Sequence, residues 1–153
     1  MRAGAPDRFR PSAPVTQGEV IEALYSFAGS PAIRNQQGQL LQGRDAALAW
    51  MQANRIAPIG GRFNLDNAIT RQDVAFLFSR MVSVLRLRAP AVRTAPSFAD
   101  ASQIDSAARS AVTDIYRAGV MSGRTTTTFV PLGQMTRAEF ATALHRFADV
   151  TGR

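Results

Sequence analysis

The chain has 153 residues, of which 46% are hydrophobic and 19% charged, and this composition predicts a folded domain or a short array of repeats rather than a disordered chain. Because it contains no cysteine, disulfides, thiolate zinc sites and cysteine nucleophiles are excluded. Arginine supplies all 18 basic residues against 11 acids, a net charge of +7, which reflects either a GC-rich genome or an anionic partner.

The sequence predicts no transmembrane segment. Its longest apolar stretch, residues 74–85, contains Arg80 and is too short to cross a bilayer. The first residues also lack the apolar run of a signal peptide. We therefore expect either a cytoplasmic protein or a mature fragment of a longer, secreted one.

The first predicted helix begins after Thr16. Phe9 lies seven residues before this threonine and Glu19 lies three residues after it. The threonine hydroxyl can accept from a first-turn backbone N–H and the glutamate from the threonine N–H, which makes a capping box. Apolar residues follow at the fourth, seventh, eighth and eleventh positions, which predicts one buried face: Val20, Ala23, Leu24 and Phe27.

This first buried face lacks a partner helix of its own. Residues 1–8 do not have the pattern of a helix, and a single repeat unit cannot bury its apolar face alone. We therefore expect the face to be covered elsewhere, either by the other units or by another chain that completes the first repeat.

A second unit repeats the pattern. A short helix near residues 45–51 carries Trp50 on its apolar face, where we expect core packing rather than stacking on a sugar. Phe63 then lies seven residues before Thr70, and Asp73 lies three residues after it, although its shorter side chain closes the capping box less well. The next buried face has the same spacing: Val74, Leu77, Phe78 and Met81.

A third unit is the most complete. It opens with Phe98 and Asp100, and a helix near residues 110–116 ends at a predicted stop, Gly119. The last capping box and its apolar face have the spacing of the first two units: Phe129, Thr136, Glu139, Phe140, Ala143, Leu144 and Phe147. The shared spacing indicates a duplicated unit and predicts that Phe9, Phe63 and Phe129 are all buried.

The sequence offers no chemistry for catalysis. It has a single histidine, His145, in a helix where a solvated or capping role is expected, and no carboxylate pair with catalytic or metal-ligand spacing. Its glycines form neither a phosphate loop nor a dinucleotide fingerprint. We expect no enzyme activity, no cofactor and no metal site.

The motifs resemble those of the S-layer homology family. Residues 98–150 resemble the family's repeat throughout, with its Phe-x-Asp opening, its Gly-Val and its Thr-Arg-Ala-Glu-Phe. Residues 40–85 resemble mainly the second half, and residues 9–28 only that half. The resemblance implies an all-α fold of helix–loop–helix units in a pseudo-threefold bundle. It divides the chain into a partial repeat at 1–29, a repeat with a degenerate opening at 30–88 and the best match at 89–153.

The same resemblance implies a non-enzymatic module that anchors proteins at the bacterial cell surface, outside the cell. The ligand it implies is an acidic secondary cell-wall polysaccharide, for example one with pyruvate ketals. The ligand-binding residues it implies are Arg71, Arg137, Asp100 and Gly123. We expect both arginines to be partly exposed in grooves between units, and their replacement by alanine to weaken binding without unfolding. An ion pair between units is the alternative role for each arginine.

Two other functions are compatible with the sequence. Gln17 occupies the position that Arg71 and Arg137 hold in the later units, so one groove lacks its charged donor. This departure favours an assembly or scaffold domain of a larger cell-envelope complex without a glycan. The arginine excess would also suit nucleic-acid binding, which ranks lower because neither a basic tail nor interleaved aromatic and basic residues occur.

Overall fold

The fold consists of α-helices joined by long loops. The structure is a computed structural model that describes residues 9–153, with helices α1 (Gln17–Phe27), α2 (Gly43–Ala53), α3 (Arg71–Leu85), α4 (Arg109–Arg117) and α5 (Arg137–Thr151). Two 3-10 turns, Ala101–Gln103 and Ser106–Ala108, precede α4. No strand occurs within this part of the chain, and the predicted all-α class is confirmed.

Complete capping boxes begin α1 and α5. The Thr16 hydroxyl accepts from the Glu19 N–H at 3.2 Å, and the Glu19 carboxylate accepts from the Thr16 N–H at 3.0 Å. The corresponding distances for Thr136 and Glu139 are 3.1 and 2.8 Å. Each helix therefore starts where its threonine satisfies a first-turn donor.

Helix α3 has only one of the two hydrogen bonds of a capping box. The Thr70 hydroxyl accepts from the Asp73 N–H at 3.3 Å, as in the other two helices. The Asp73 carboxylate instead accepts from the Ile59 N–H at 2.9 Å and contacts the Thr70 hydroxyl at 3.2 Å. The short aspartate side chain thus ties the preceding loop to the helix.

The segments that precede α1, α3 and α5 meet in a closed ring of backbone hydrogen bonds. The Val15 N–H donates to the Met135 carbonyl at 2.9 Å, the Ile69 N–H to the Val15 carbonyl at 3.2 Å, and the Met135 N–H to the Ile69 carbonyl at 3.2 Å. All three side chains are buried. The ring holds the starts of the three helices together around one centre.

Each of these helices also receives its first carbonyl acceptor from a neighbouring loop. The N–H groups of the first helical residues donate across the junctions at 2.8–2.9 Å: Gln17 to Asn67, Arg71 to Gly133 and Arg137 to Ala13. Helix N-termini leave such N–H groups without intrahelical partners, so the loops complete the helices that they contact. The three junctions have the same backbone pattern, and they differ in their side chains.

Aromatic residues from all three capped helices form the centre of the core. The Phe78 ring of α3 lies 4.5 Å from the Phe147 ring of α5, and Phe147 lies 5.1 Å from Phe27 of α1. Phe140 stacks on Phe78 at 6.2 Å. This cluster joins the three helices through apolar contact.

The apolar face of α1 is covered within the chain. Val20 and Leu24 are fully buried, Ala23 and Phe27 are partly buried, and α1 packs against α2, whose Trp50 is buried as predicted. The chain's own helices therefore cover this face, which is the first of the two expected alternatives. The prediction that residues 1–8 supply no helix lies outside the described residues.

One predicted core residue is in fact exposed. Phe129 is fully buried and Phe63 partly buried, whereas 49% of Phe9 is accessible to solvent. The Arg71 guanidinium covers the Phe129 ring at 4.7 Å. Arg137 holds the same motif position beside the first unit but is ion-paired with Glu19, so Phe9 lacks the equivalent cover.

Candidate functional site

A cavity of about 290 Å³ lies between the first turn of α3 and one side of α5. The loop after α4 forms its third wall. Its lining residues come from all three segments: Arg71, Val120, Met121, Ser122, Gly123, Met135, Ala138, Glu139, Thr142, Ala143 and Arg146. The cavity thus spans the junction between α3, α5 and the loop after α4.

Arg71 reaches this cavity from a buried position. It is only 5% exposed; its Nε donates to the Phe129 carbonyl at 2.7 Å and its Nη2 donates to the Ser122 carbonyl. The guanidinium also lies over the Phe129 ring. The expectation of a partly exposed Arg71 is therefore wrong, because the loop of the third unit surrounds this side chain.

The buried Arg71 cation forms no ion pair with a carboxylate within residues 9–153. Burial, and then the positive charge of Arg124, lower the pKa of Arg71 below its ordinary value, although arginine stays protonated in proteins. Glu139 opposes this shift but is shared, since its carboxylate lies 3.0 Å from Arg124 Nη2 and also caps α5. An incoming anion would find a site with excess positive charge.

Arg146 supplies a second cation at the rim. It is exposed, lies two helical turns after Glu139 on α5, and forms no ion pair within residues 9–153. The hydroxyl of Thr142 lies between them on the same side of the helix. This side of α5 therefore offers a guanidinium and a hydroxyl to the cavity.

Asp100 holds the third-unit loop instead of lining the cavity. Its two carboxylate oxygens accept from the Phe129 and Val130 N–H groups, each at 2.9 Å. Desolvation acts to raise the pKa of Asp100, but these backbone hydrogen bonds outweigh it and the pKa lies below its ordinary value. The side chain thus fixes the loop that carries Arg71's partner, the Phe129 carbonyl.

Replacing Asp100 with asparagine should make the domain less stable at neutral pH and less sensitive to acid. A carboxylate whose pKa is lower in the folded state stabilises above its unfolded pKa, and this contribution is lost as the pH falls below about 4. Asparagine has one acceptor oxygen for two N–H groups, so we expect a loss of about 1 kcal/mol at pH 7 that shrinks in acid. Urea unfolding of both proteins at several pH values measures this, and a pH-independent difference would contradict it.

Gly123 lies on the wall of the cavity, where the loop folds tightly on itself. A Cβ at this position would lie 2.4 Å from the Thr125 carbonyl oxygen, 2.6 Å from that of Thr128 and 2.7 Å from the Phe98 ring. The close approach that requires glycine is therefore made by the protein's own loop.

Arg137 does not line this cavity. Its Nη2 lies 2.6 Å from Glu19 Oε2, and its side chain is 27% exposed. At the third junction, Gln17 Oε1 accepts from the Asn64 N–H at 2.8 Å. The ion pair between units that was the alternative for the arginines is present at Arg137, so the structure brings only Arg71 and Gly123 of the four predicted ligand residues to the cavity.

Part of the chain is similar to a known protein family. Residues 97–141 match the model of the S-layer homology domain. The match supports an S-layer homology domain within these residues. Such domains are binding and anchoring modules rather than enzymes, and they associate proteins with the cell wall at the cell surface. No curated protein matches the chain significantly.

The matched S-layer homology segment contains Asp100, Gly123 and Arg137, and it ends before Arg146. Within residues 9–153, no helix has the length and apolar character that a membrane span needs. No cluster of potential metal ligands occurs in this part of the chain either.

Sequence reasoning missed the α5 side of the cavity. The apolar positions after Thr136 were used to find the buried face, whereas Glu139, Thr142 and Arg146 follow at the third, sixth and tenth positions. This second spacing is also helical and defines a stripe beside the buried one. A search for polar residues on that stripe would have found Arg146.

Proposed function

We propose that this S-layer homology domain anchors a protein to the bacterial wall by binding an acidic polysaccharide in the cavity between α3 and α5. The observation that supports the proposal is the charge of the lining. Arg71 and Arg146 both reach the cavity, and the carboxylate of Glu139 is already paired with Arg124. A carboxylate ligand would therefore be attracted.

The two arginines have different tasks in this proposal. Arg71 provides a fixed positive charge at the base, because its guanidinium is held by two carbonyl groups. Arg146 provides an accessible planar fork, which matches a carboxylate with two parallel hydrogen bonds. An anion between them would compensate a cation that burial has desolvated.

The size of the cavity favours one substituted sugar at a time. Its volume of about 290 Å³ lies near the lower end of ordinary ligand pockets, roughly 300 Å³. A pyruvate ketal places a carboxylate directly on a sugar ring, and the Thr142 and Ser122 hydroxyls can serve the ring oxygens. We propose an acidic sugar of this type as the ligand, outside the cell on the bacterial surface.

The proposal includes a single site per chain. The chain comprises three units, 1–29, 30–88 and 89–153, in a pseudo-threefold bundle, and the closed ring at Val15, Ile69 and Met135 supports this division. The cavity described above lies at the junction with Arg71. At the other two junctions the equivalent side chains, Arg137 and Gln17, are occupied by protein partners.

Replacing Arg146 with alanine should weaken binding of purified cell-wall polysaccharide about tenfold, as expected for the loss of one charged hydrogen-bonding group. Lysine should restore only part of the affinity, since a point charge lacks the bidentate fork. Titration calorimetry measures both affinity and stoichiometry, with one site expected. Arg137→Ala is the matched control, and it should retain affinity because Arg137 lies outside the cavity.

Equal affinity of the parent chain and Arg146→Ala would show that Arg146 does not contact the polysaccharide. A chain that fails to sediment with purified wall sacculi would instead support the scaffold function. The junctions at Arg137 and Gln17 favour that function, because both side chains already bind groups of the protein. Nucleic-acid binding would appear as DNA affinity that falls steeply with salt.

A further inference from the structure

Helix α5 differs from the other two capped helices in lacking a partner helix. Helix α1 packs along α2, and α3 packs along α4. Within residues 9–153, no helix packs along α5 in the same way. Because α1, α3 and α5 all begin after a threonine cap, residues at the same distance from the cap can be compared directly.

One side of α5 is left uncovered by this difference. The fifth residue after the cap is Ile21 in α1 and Ala75 in α3, and both are fully buried, whereas Ala141 in α5 is exposed. Leu144 and Ala148 continue the same side of α5 and are only partly buried. Ala141, Leu144 and Ala148 form the outer face of α5, which is apolar.

The outer face is separate from the cavity between α3 and α5. Helix α5 lines that cavity with the polar residues Glu139, Thr142 and Arg146, and no residue of the outer face is part of the lining. An interaction at the outer face would therefore leave the cavity open to a ligand.

The exposed Phe9 ring adds to the uncovered surface. Phe9 is 49% exposed and lies in the loop whose carbonyls accept from the first N–H groups of α5. The equivalent Phe129 is fully buried and lies 5.6 Å from the ring of Phe98, in the segment that leads into α4. Phe9 and the outer face therefore lack the same kind of cover, a helix with its leading segment.

The covering helices α2 and α4 show which chemistry fits such a face. Each buries alanine beside a larger apolar side chain, Ala47 beside Trp50 in α2 and Ala111 beside Ile115 in α4. The outer face of α5 has the same composition, with Leu144 between two alanines. A second α5 helix is therefore itself a suitable cover for the first.

We infer that two copies of the chain cover each other's outer face by antiparallel pairing of their α5 helices. The spacing of Ala141, Leu144, Ala148 and Thr151 is that of the seam between two packed helices. In an antiparallel pair, Leu144 of each copy opposes Ala148 of the other, so that a large side chain meets a small one. No charged residue occupies the seam, and the ion pair of His145 with Asp149 lies beside it.

Sedimentation equilibrium of the full chain tests this pairing. At about 100 µM we expect the parent chain to have twice the mass of 16.5 kDa. Ala141→Glu should be monomeric at that concentration, because pairing would bury a carboxylate without a partner. Ala141 is exposed in the single chain, so the variant should keep the circular dichroism spectrum of the parent. Ala53→Glu is the matched control, the same change at an exposed alanine of α2, and it should remain a dimer.

Three results would overturn the pairing. A parent chain that stays monomeric rejects a second copy as the cover and favours a helix of another protein. Dimers of equal strength for the parent and Ala141→Glu place the contact elsewhere on the surface. Loss of the dimer in both glutamate variants shows an effect of charge that is not specific to the outer face.

Discussion

Replacing Arg71 with methionine is expected to lower the free energy of unfolding by about 3 kcal/mol, because the buried Phe129 carbonyl and the part-buried Ser122 carbonyl both lose their charged donor. Methionine keeps much of the apolar stem over the Phe129 ring but removes the cation–π contact. Urea unfolding followed by circular dichroism measures the loss. This result would differ from the sequence-based expectation that Arg71 can be replaced without unfolding.

The matched control is Arg137→Met, the same change at the same motif position. Arg137 forms a partly exposed ion pair with Glu19, and such pairs contribute at most about 1 kcal/mol. The loss in free energy of unfolding should therefore be about three times larger for Arg71→Met than for Arg137→Met. Such a difference would show that the environment of the arginine, rather than the motif, determines its role. Equal losses would mean that Arg71 is not held as the structure shows.

The starts of the long helices could be predicted because their signals are local. A threonine cap and an acid three residues later act within a single turn, so the spacing of Thr16 with Glu19 and Thr136 with Glu139 contains all of the required information. The same holds for the helix stop at Gly119, which has a φ of 83°. The buried faces followed from periodicity alone.

The roles of the site residues could not be predicted because their partners are distant in sequence. Arg71 binds a carbonyl 58 residues away, and no local pattern distinguishes it from Arg137. Asp100 was predicted to meet a ligand, yet its partners are N–H groups of a loop 29 and 30 residues later. The repeated motif therefore predicted where each side chain lies in the fold, but not what it binds.

Replacement of Gly123 should cause the second large loss of stability, because the structure has no space for an added methyl group at this position. The substitution Gly123→Ala should lower the free energy of unfolding by about 2–3 kcal/mol, in the upper part of the usual range for overpacking. A new Cβ would meet the Thr125 and Thr128 carbonyl oxygens and the Phe98 ring, all below 3.0 Å. Two of these neighbours are backbone atoms, so relief requires the loop itself to move.

Gly38→Ala separates this steric effect from backbone strain. Gly38 has a φ of +79° with nothing within 4 Å of its Cβ position, so alanine there should cost only about 1 kcal/mol, from conformation alone. Gly123 is not in that left-handed region, and its larger loss would come from crowding. Because Gly123 lines the cavity between α3 and α5, the moved loop should also weaken polysaccharide binding, whereas Gly38→Ala should not. Gly123→Ala with parental stability would show that the loop does not close around this position.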